Sequence, residues 1–341
     1  MIKKYDGKIG FRELLAIIFF CIALKLSDTT PLLLLDEGLN AAWLVPILSG
    51  LVIFLSFLFL LSLFKLYKNK DLTDIIYHLT GKFFGFVIIL MLFLILLEYL
   101  VVSIRDYADI LSTMFYLRTP LKYLLLMLIV TAFYVSHKGI NIIGSLCWLT
   151  YPLMQGVVLL LIPLALKDLD FSYLFPLGGP GVKTLLKLGI LHTSVVSEVI
   201  SLSIFFTQVR SYKEFKNASL LGLGLSILLI TVFMVIYISS YGYTVLSTLN
   251  YPHHHLTRLV GLGRFAKNLE SFFLGFWSIA IAIRFSIYFY TLATLGTSLI
   301  KVKSPNTLLP YIAVVVYILA RLPENYTQYV FSIRKVGLMV L

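Results

Sequence analysis

Charged residues and cysteines are scarce in this sequence. Asp, Glu, Lys and Arg together make up 13% of its 341 residues, which is about half the share found in ordinary globular chains. So little polar surface cannot cover soluble domains of this length, and a hydrophobic content of 60% excludes intrinsic disorder. The two cysteines, Cys21 and Cys147, lie in apolar runs, which excludes a disulfide-stapled scaffold. The composition is that of an integral membrane protein.

Motifs for catalysis and for metal binding are also missing. The sequence has no Walker motif, nucleophile elbow or zinc-ligand pattern, so we expect no enzymatic activity, no cofactor and no metal site. The string His253–His254–His255 has no neighbouring cysteine or acid, and adjacent imidazoles point in different directions. The net charge of +12 comes from short Lys and Arg clusters between apolar stretches, which indicates anionic lipid rather than nucleic acid as the partner.

Long apolar segments fill most of the chain. A helix needs about 20 mostly apolar residues to cross about 30 Å of hydrocarbon. Segments that meet or nearly meet this length are 11–34, 41–64, 83–104, 121–136, 144–166, 185–207, 218–241, 271–297 and 307–322. We therefore predict an all-α integral membrane protein in which residues 1–341 form a single transmembrane domain.

The two ends of the sequence differ in character. Positive charges precede the first apolar segment, at Lys3, Lys4, Lys8 and Arg12, and no small-residue cleavage site follows it. We expect this segment to be the first membrane helix rather than a signal peptide, with a cytoplasmic N-terminus. Near the C-terminus, Arg334 and Lys335 interrupt the apolar residues after Pro323. The sequence therefore predicts nine full helices and only the start of a tenth.

The first segment contains a cluster of polar residues. Lys25, Ser27, Asp28, Thr29 and Thr30 stand directly before Pro31. Proline lacks a backbone donor and disfavours helix at the residue before it, and Ser, Asp and Thr offer the backbone alternative hydrogen bonds. We predict a break in the helix here. The alternative is that this is the outer end of the first helix, with residues 32–35 lying in the membrane interface.

A second polar cluster lies inside the sixth segment. It consists of His192, Thr193, Ser194, Ser197 and Glu198. If the chain consists of two five-helix repeats, the first and sixth segments are equivalent, and transporters with inverted repeats bind their substrates between such discontinuous helices. We predict a second break that faces the first. Glu198 is a candidate ligand-binding residue, although a structural hydrogen bond or protonation in an apolar site would also account for it.

Two more charged residues lie within the spans. Arg284 is near the middle of the eighth segment, where an isolated guanidinium is costly, so we expect it to be buried beside an acid, Glu198 or Glu98, or to line a wet cavity. A structural ion pair is as reasonable here as a gating role. By contrast, the charged run Arg105–Asp109 is expected to be a solvated helix end. The candidate ligand-binding residues are Ser27, Asp28, Thr29, Thr30, Tyr99, Ser194, Ser197, Glu198, Ser286 and Tyr290.

These features in this order resemble one known family. Its landmarks are the polar break ending in Pro31, Ala41–Ala42–Trp43–Leu44, Ser194-x-x-Ser197–Glu198, Arg264 followed by Phe272–Trp277, and Leu322–Pro323–Glu324–Asn325. The chain resembles the spore-germination permeases, which are the membrane B subunits of nutrient germinant receptors. They belong to the amino acid–polyamine–organocation transporter superfamily.

The resemblance implies a fold, partners and a location. It implies a transporter-like bundle of two inverted five-helix repeats, at about 9–166 and 184–341, with a small nutrient, such as an amino acid, bound near the middle. It also implies an A subunit with a soluble head, a C subunit that is a lipoprotein, and the inner membrane of a bacterial spore. The alternative function is a proton- or sodium-coupled amino acid transporter, because a sensor and a transporter share this fold.

Overall fold

The computed structural model describes residues 7–259 and 266–322, and these residues are almost entirely helical. The α-helices of the described ranges are α1 Phe11–Ala23, α2 Thr30–Gly38, α3 Val45–Leu66, α4 Leu72–Ile110, α5 Leu121–His137, α6 Ile140–Ala165, α7 Val182–Leu191, α8 Glu198–Leu202, α9 Tyr212–Leu246, α10 Pro252–Leu259, α11 Ala266–Ile300 and α12 Leu309–Arg321. Short 3₁₀ turns join several of them. The helices occupy the predicted apolar segments, with α10 added in the loop before the eighth.

Several stretches are long and apolar enough to cross a membrane. They are Thr30–Leu66, Leu72–Phe115, Ile140–Ala165, Tyr212–Leu246 and Phe273–Ile300, and shorter apolar helices cover Leu121–His137, Glu198–Gln208 and Leu309–Arg321. The chain is a multi-pass membrane protein, and the predicted all-α, transporter-like bundle is confirmed. The division into inverted repeats stays a prediction, and the start of a tenth helix falls outside the described residues.

Helix α1 lies at the centre of the bundle. Its residues from Leu14 to Ala23 are all buried, and it packs against α9, α6 and α11. A helix that is apolar on every side belongs in the interior of a larger assembly. The outer faces of the surrounding helices instead expose large apolar side chains, among them Phe59, Phe83, Tyr134, Leu149 and Tyr311. Such a surface fits lipid rather than water.

The long connection between α6 and α7 is tied to the bundle. Between α6 and α7, the side-chain amide of Asn40 donates to the carbonyls of Leu174 (3.0 Å) and Pro176 (2.8 Å). Gly242 lies at a kink near the end of α9, with φ +67°. A side chain at position 242 would contact the Tyr173 ring, which belongs to the connection between α6 and α7. The loop is therefore held against the C-terminal ends of α2 and α9.

Candidate functional site

The first membrane helix is interrupted where the polar cluster lies. Helix α1 ends at Ala23, a 3₁₀ turn covers Leu24–Ser27, Asp28 is extended, and α2 begins at Thr30. The Asp28 carboxylate accepts from the Thr30 backbone N–H at 2.7 Å, which satisfies a free donor at the start of α2. Pro31 stands in the first turn of α2, where proline is tolerated. The predicted break is confirmed.

Tyrosines on neighbouring helices hold the carbonyls of this break. The Tyr107 hydroxyl of α4 donates to the Leu24 carbonyl at 2.9 Å. The Tyr237 hydroxyl of α9 donates to the Leu26 carbonyl at 3.0 Å. Both tyrosines are fully buried. Carbonyls that lose their helical partners in the bilayer core need others, and these hydroxyls supply them.

An acid and a tryptophan hold the remaining polar groups of the break. The Asp106 carboxylate accepts from the Thr29 backbone N–H at 3.0 Å and from its hydroxyl at 3.1 Å. The Trp277 indole N–H donates to the Ser27 hydroxyl at 2.9 Å. The expectation of a solvated helix end at Arg105–Asp109 is wrong, because all five residues are buried. The helix continues through them to Ile110, so they lie inside the bundle.

The sixth segment is interrupted at its polar cluster as well. Helix α7 ends at Leu191, a 3₁₀ turn covers Thr193–Val195, and α8 begins at Glu198. His192, between α7 and the turn, is buried. The second predicted break is therefore confirmed. The two breaks face each other, since a side chain of the first contacts the backbone of the second.

That side chain is Lys25, which is fully buried. Its ammonium donates to the carbonyls of Ser194 (2.7 Å) and Val195 (2.8 Å). It also forms an ion pair with the Glu198 carboxylate and lies 4.8 Å from the centre of the Tyr99 ring. Lys25 thus connects the first break to the second. Glu198 is paired with a lysine of its own chain, a partner that the sequence analysis did not assign to it.

Arg284 is the second buried cation of the site. The prediction that it is buried is confirmed, because its exposed fraction is 0%. The predicted acid is wrong: one guanidinium nitrogen lies 3.6 Å from Asp28 Oδ2. The same nitrogen donates to the Tyr107 hydroxyl at 2.7 Å, and the other terminal nitrogen to the Tyr99 hydroxyl at 2.6 Å. Three tyrosines therefore surround it, the third being Tyr288.

The two acids that were expected near Arg284 have other positions. The Glu198 carboxylate forms its ion pair with Lys25. The Tyr288 hydroxyl accepts from Arg284 Nε at 3.4 Å and donates to Glu198 Oε1 at 3.2 Å. Tyr288 thus bridges the two ion pairs. Glu98 is exposed on the outer face of α4. Its neighbour Tyr99 faces inward, because successive helical residues point about 100° apart.

The other candidate residues contribute less to this network. Ser286 is buried and bonds back to the Ala282 carbonyl of its own helix at 2.6 Å. Tyr290 is half-buried, with its ring 5.8 Å from that of Phe205. The Ser197 hydroxyl contacts the Ser194 carbonyl at 3.5 Å within the second break. Ser194 therefore enters the network through its backbone, and Ser286 and Tyr290 lie beside it.

A narrow pocket adjoins the first break. Its space is about 30 Å³, which is room for about one water molecule. Ser27, His253 and Trp277 line it together with apolar side chains of α1, α6 and α9. The His253 ring is buried, and its Nδ1 lies 2.6 Å from the Tyr237 hydroxyl. Part of the histidine string therefore packs beside the break.

Six side chains of the network were not among the predicted site residues. They are Lys25, Asp106, Tyr107, Tyr237, Trp277 and Tyr288. Lys25 belongs to the polar cluster of the first segment, and a lysine placed next to a predicted break is a signal that could have identified it. Asp106 lies in the charged run that was expected to be solvated. Aromatic residues in a membrane chain more often pack or anchor at the interface, so nothing local indicates that these tyrosines and this tryptophan bond to the break or to its ion pairs.

The fold and this geometry define the class of protein. It is a polytopic, all-helical membrane protein of transporter-like architecture, with two interrupted helices that face each other across a buried network of charges. A family described as spore germination protein, the spore permeases, matches residues 14–329. The chain therefore belongs to the spore permease family, and it is a germination-related membrane protein.

Curated relatives agree with this assignment. Spore germination protein YndE of Bacillus subtilis is 22% identical over 287 residues, which cover 83% of this chain and 78% of YndE. Spore germination protein KB of the same organism is 22% identical over 310 residues, covering 89% and 81%. Spore germination protein XB of Bacillus anthracis is 22% identical over 332 residues, covering 94% and 92%. Each match spans most of both chains.

Proposed function

We propose that this chain is the nutrient-sensing membrane subunit of a spore germinant receptor. In this proposal a small nutrient, most simply an amino acid, binds beside the two helix breaks and favours one conformation of the bundle. The observation that carries the proposal is the pair of facing breaks joined by a buried ionic network, in a chain of the spore permease family. A ligand shifts such an equilibrium only by its differential affinity for the two states.

The proposed mechanism requires the site to open. The pocket beside the first break has about 30 Å³ of space, too little for an amino acid. Binding in this pocket therefore requires movement of α2 or of the 3₁₀ turn Leu24–Ser27 away from its partners on α4, α9 and α11. We propose that this movement is transmitted to the receptor's A and C subunits. The chain would act by changing shape and not as an enzyme, in the inner spore membrane with its N-terminus in the cytoplasm.

The test is the substitution Glu198→Gln, with Glu98→Gln as its matched control. Both remove one carboxylate from a membrane span, but Glu198 is buried in the network and Glu98 is exposed on α4. Glutamine at position 198 leaves the Lys25 charge without its carboxylate, which lowers stability, but it keeps the shape and still offers an oxygen to Lys25 and to Tyr288. We therefore expect the variant to reach the spore membrane at normal abundance. We expect germination to be lost or to require far more nutrient. Glu98→Gln should respond like the wild type.

Two results would separate this proposal from its alternatives. A wild-type response of Glu198→Gln at wild-type abundance would contradict a role of Glu198 in sensing. Uptake of the nutrient by the purified protein in vesicles, dependent on a proton or sodium gradient and lost in Glu198→Gln, would identify a transporter instead. Neighbouring genes for a membrane subunit with a soluble head and for a lipoprotein would support the receptor.

A further inference from the structure

The ammonium of Lys25 has a complete set of partners. A lysine ammonium has three N–H donors. Here three oxygens face it, the carbonyls of Ser194 (2.7 Å) and Val195 (2.8 Å) and the carboxylate of Glu198. The ring of Tyr99 covers it at 4.8 Å, a distance at which a cation is attracted to the π face. No part of this side chain is exposed.

This set of partners is what a free cation or a primary amine would need. Unwound backbone carbonyls in broken membrane helices coordinate monovalent cations, and a carboxylate supplies the balancing charge. Ser194 and Val195 lie in such an unwound turn, and Glu198 begins the next helix. The second break thus forms a cation site, and a side chain of the first break occupies it.

Arg284 shows that a buried cation in this bundle can be bound without the backbone carbonyls of a helix break. Its guanidinium contacts the hydroxyls of Tyr99 and Tyr107 and lies 3.6 Å from the Asp28 carboxylate. These are side-chain groups on regular helices or, for Asp28, in the first break. The backbone carbonyls of the second break are bonded by Lys25 instead. The arrangement at Lys25 is therefore specific to the break.

The charges in contact with the second break are balanced without an additional cation. Lys25 and Glu198 neutralise each other, and Arg284 and Asp28 form the second pair. All four side chains are buried. A sodium ion or a nutrient ammonium entering beside Glu198 would bring an uncompensated positive charge into a region of low polarity, which is costly.

We propose that the second helix break is a site for a monovalent cation or a primary ammonium, and that Lys25 is its permanent, covalently attached occupant. The native protein then needs no inorganic cation at this site. It also follows, resting on the proposed function, that the nutrient binds without placing its own ammonium against Glu198.

The test is chemical rescue of the full-length protein in detergent. Lys25→Ala removes three carbons and the ammonium, the atoms of n-propylammonium. We expect this variant to have a lower thermal unfolding midpoint and n-propylammonium chloride to raise it in a saturable manner. n-Propanol, which has the chain but no charge, and tetramethylammonium, which cannot donate hydrogen bonds, should not raise it. The wild type should have the same midpoint in sodium and choline chloride and no response to n-propylammonium.

A double variant identifies the oxygen partners. Adding Glu198→Gln to Lys25→Ala should raise the n-propylammonium concentration needed for half-maximal rescue at least tenfold, because the amide carries no charge. The proposal is overturned if n-propylammonium fails to rescue, if n-propanol rescues equally well, or if sodium specifically stabilises the wild type.

Two precautions keep the test decisive. If Lys25→Ala does not fold alone, it is expressed and purified with n-propylammonium throughout. The yield of monodisperse protein then replaces the midpoint, and a yield that the amine does not improve overturns the proposal. The experiment uses neither spores nor nutrient. A failure of the proposed receptor function would therefore appear only in the germination assay and would leave this result unchanged.

Discussion

Removal of the Arg284 guanidinium is the most demanding test of the buried network. Arg284→Leu keeps an apolar side chain at the position but removes the donors to Tyr99 and Tyr107 and the charge facing Asp28. Removing one partner of a buried ion pair costs about 3–5 kcal/mol, because the remaining charge stays buried. The two tyrosine hydroxyls lose charge-assisted bonds as well. We expect the free energy of unfolding to fall by an amount in this range.

Two further substitutions should cost less than Arg284→Leu. Arg284→Lys keeps the charge but cannot reach both tyrosine hydroxyls, so we expect a loss of about 1.5–3 kcal/mol, one charge-assisted hydrogen bond. Arg321 is exposed, with its guanidinium 5.5 Å from the Tyr317 ring. Arg321→Leu therefore serves as the control and should cost less than about 1 kcal/mol. The assay is reversible unfolding of the purified protein in mixed micelles of increasing denaturing detergent.

A double-mutant cycle identifies the source of the loss. Asp28→Asn in the Arg284→Leu background removes the carboxylate charge that faced Arg284 and keeps the oxygen that accepts from the Thr30 backbone. We expect it to restore at least about 1 kcal/mol, since contacting residues couple by about 0.5–3 kcal/mol. The reasoning is refuted if Arg284→Leu costs no more than Arg321→Leu, or if the second substitution adds a further loss.

Three other substitutions are measured in the same unfolding assay. Glu98→Leu removes a charge from the outer face of α4 and should leave stability unchanged or raise it by up to about 3 kcal/mol; a clear loss would contradict the exposed position. Trp277→Phe loses the hydrogen bond to Ser27 and should cost about 1 kcal/mol; no loss would show that the bond is dispensable. Gly242→Ala forces a side chain into positive φ and should cost about 1–2 kcal/mol, whereas Gly224→Ala, in regular helix with open space, should not destabilise.

The membrane helices and their interruptions were accessible from the sequence. Apolar length alone located the spans, because the bilayer imposes a minimum length on every helix. The first break was predicted at Ser27–Thr30 because Ser, Thr and Asp compete with the helical backbone for hydrogen bonds. The second was predicted at Thr193–Ser197 because a polar cluster lies in the segment that corresponds to the first in a repeated fold. Both features depend on residues close together in the chain.

The partners in the buried ion pairs could not be predicted from the sequence. Arg284 and Asp28 are 256 positions apart, and nothing local distinguishes Asp28 from Glu198 or Glu98 as the partner. The pairing depends on which side of each helix faces the interior of the bundle. On α4 this side carries Tyr99, and Glu98 lies on the outside. The buried position of Arg105–Asp109 was missed for a related reason. Local sequence does not show that α4 continues through these residues inside the bundle.

The first helix break also constrains how the protein can move. Its backbone is bonded to α4 through Tyr107 and Asp106 and to α9 through Tyr237. Its Lys25 side chain is bonded to the backbone of the second break. Hydrogen bonds weaken steeply with distance and angle, so a small displacement of the break loosens several of them together.

Intermediate positions of the break would lose these bonds without gaining others. In the proposed mechanism the break therefore has two positions, bonded and released, and a graded stimulus changes only the fraction of molecules that is released. Moving such an equilibrium from 1:99 to 99:1 requires a differential binding free energy of about 5.5 kcal/mol. A stimulus that binds the two states with a smaller difference releases only part of the population, however tightly it binds.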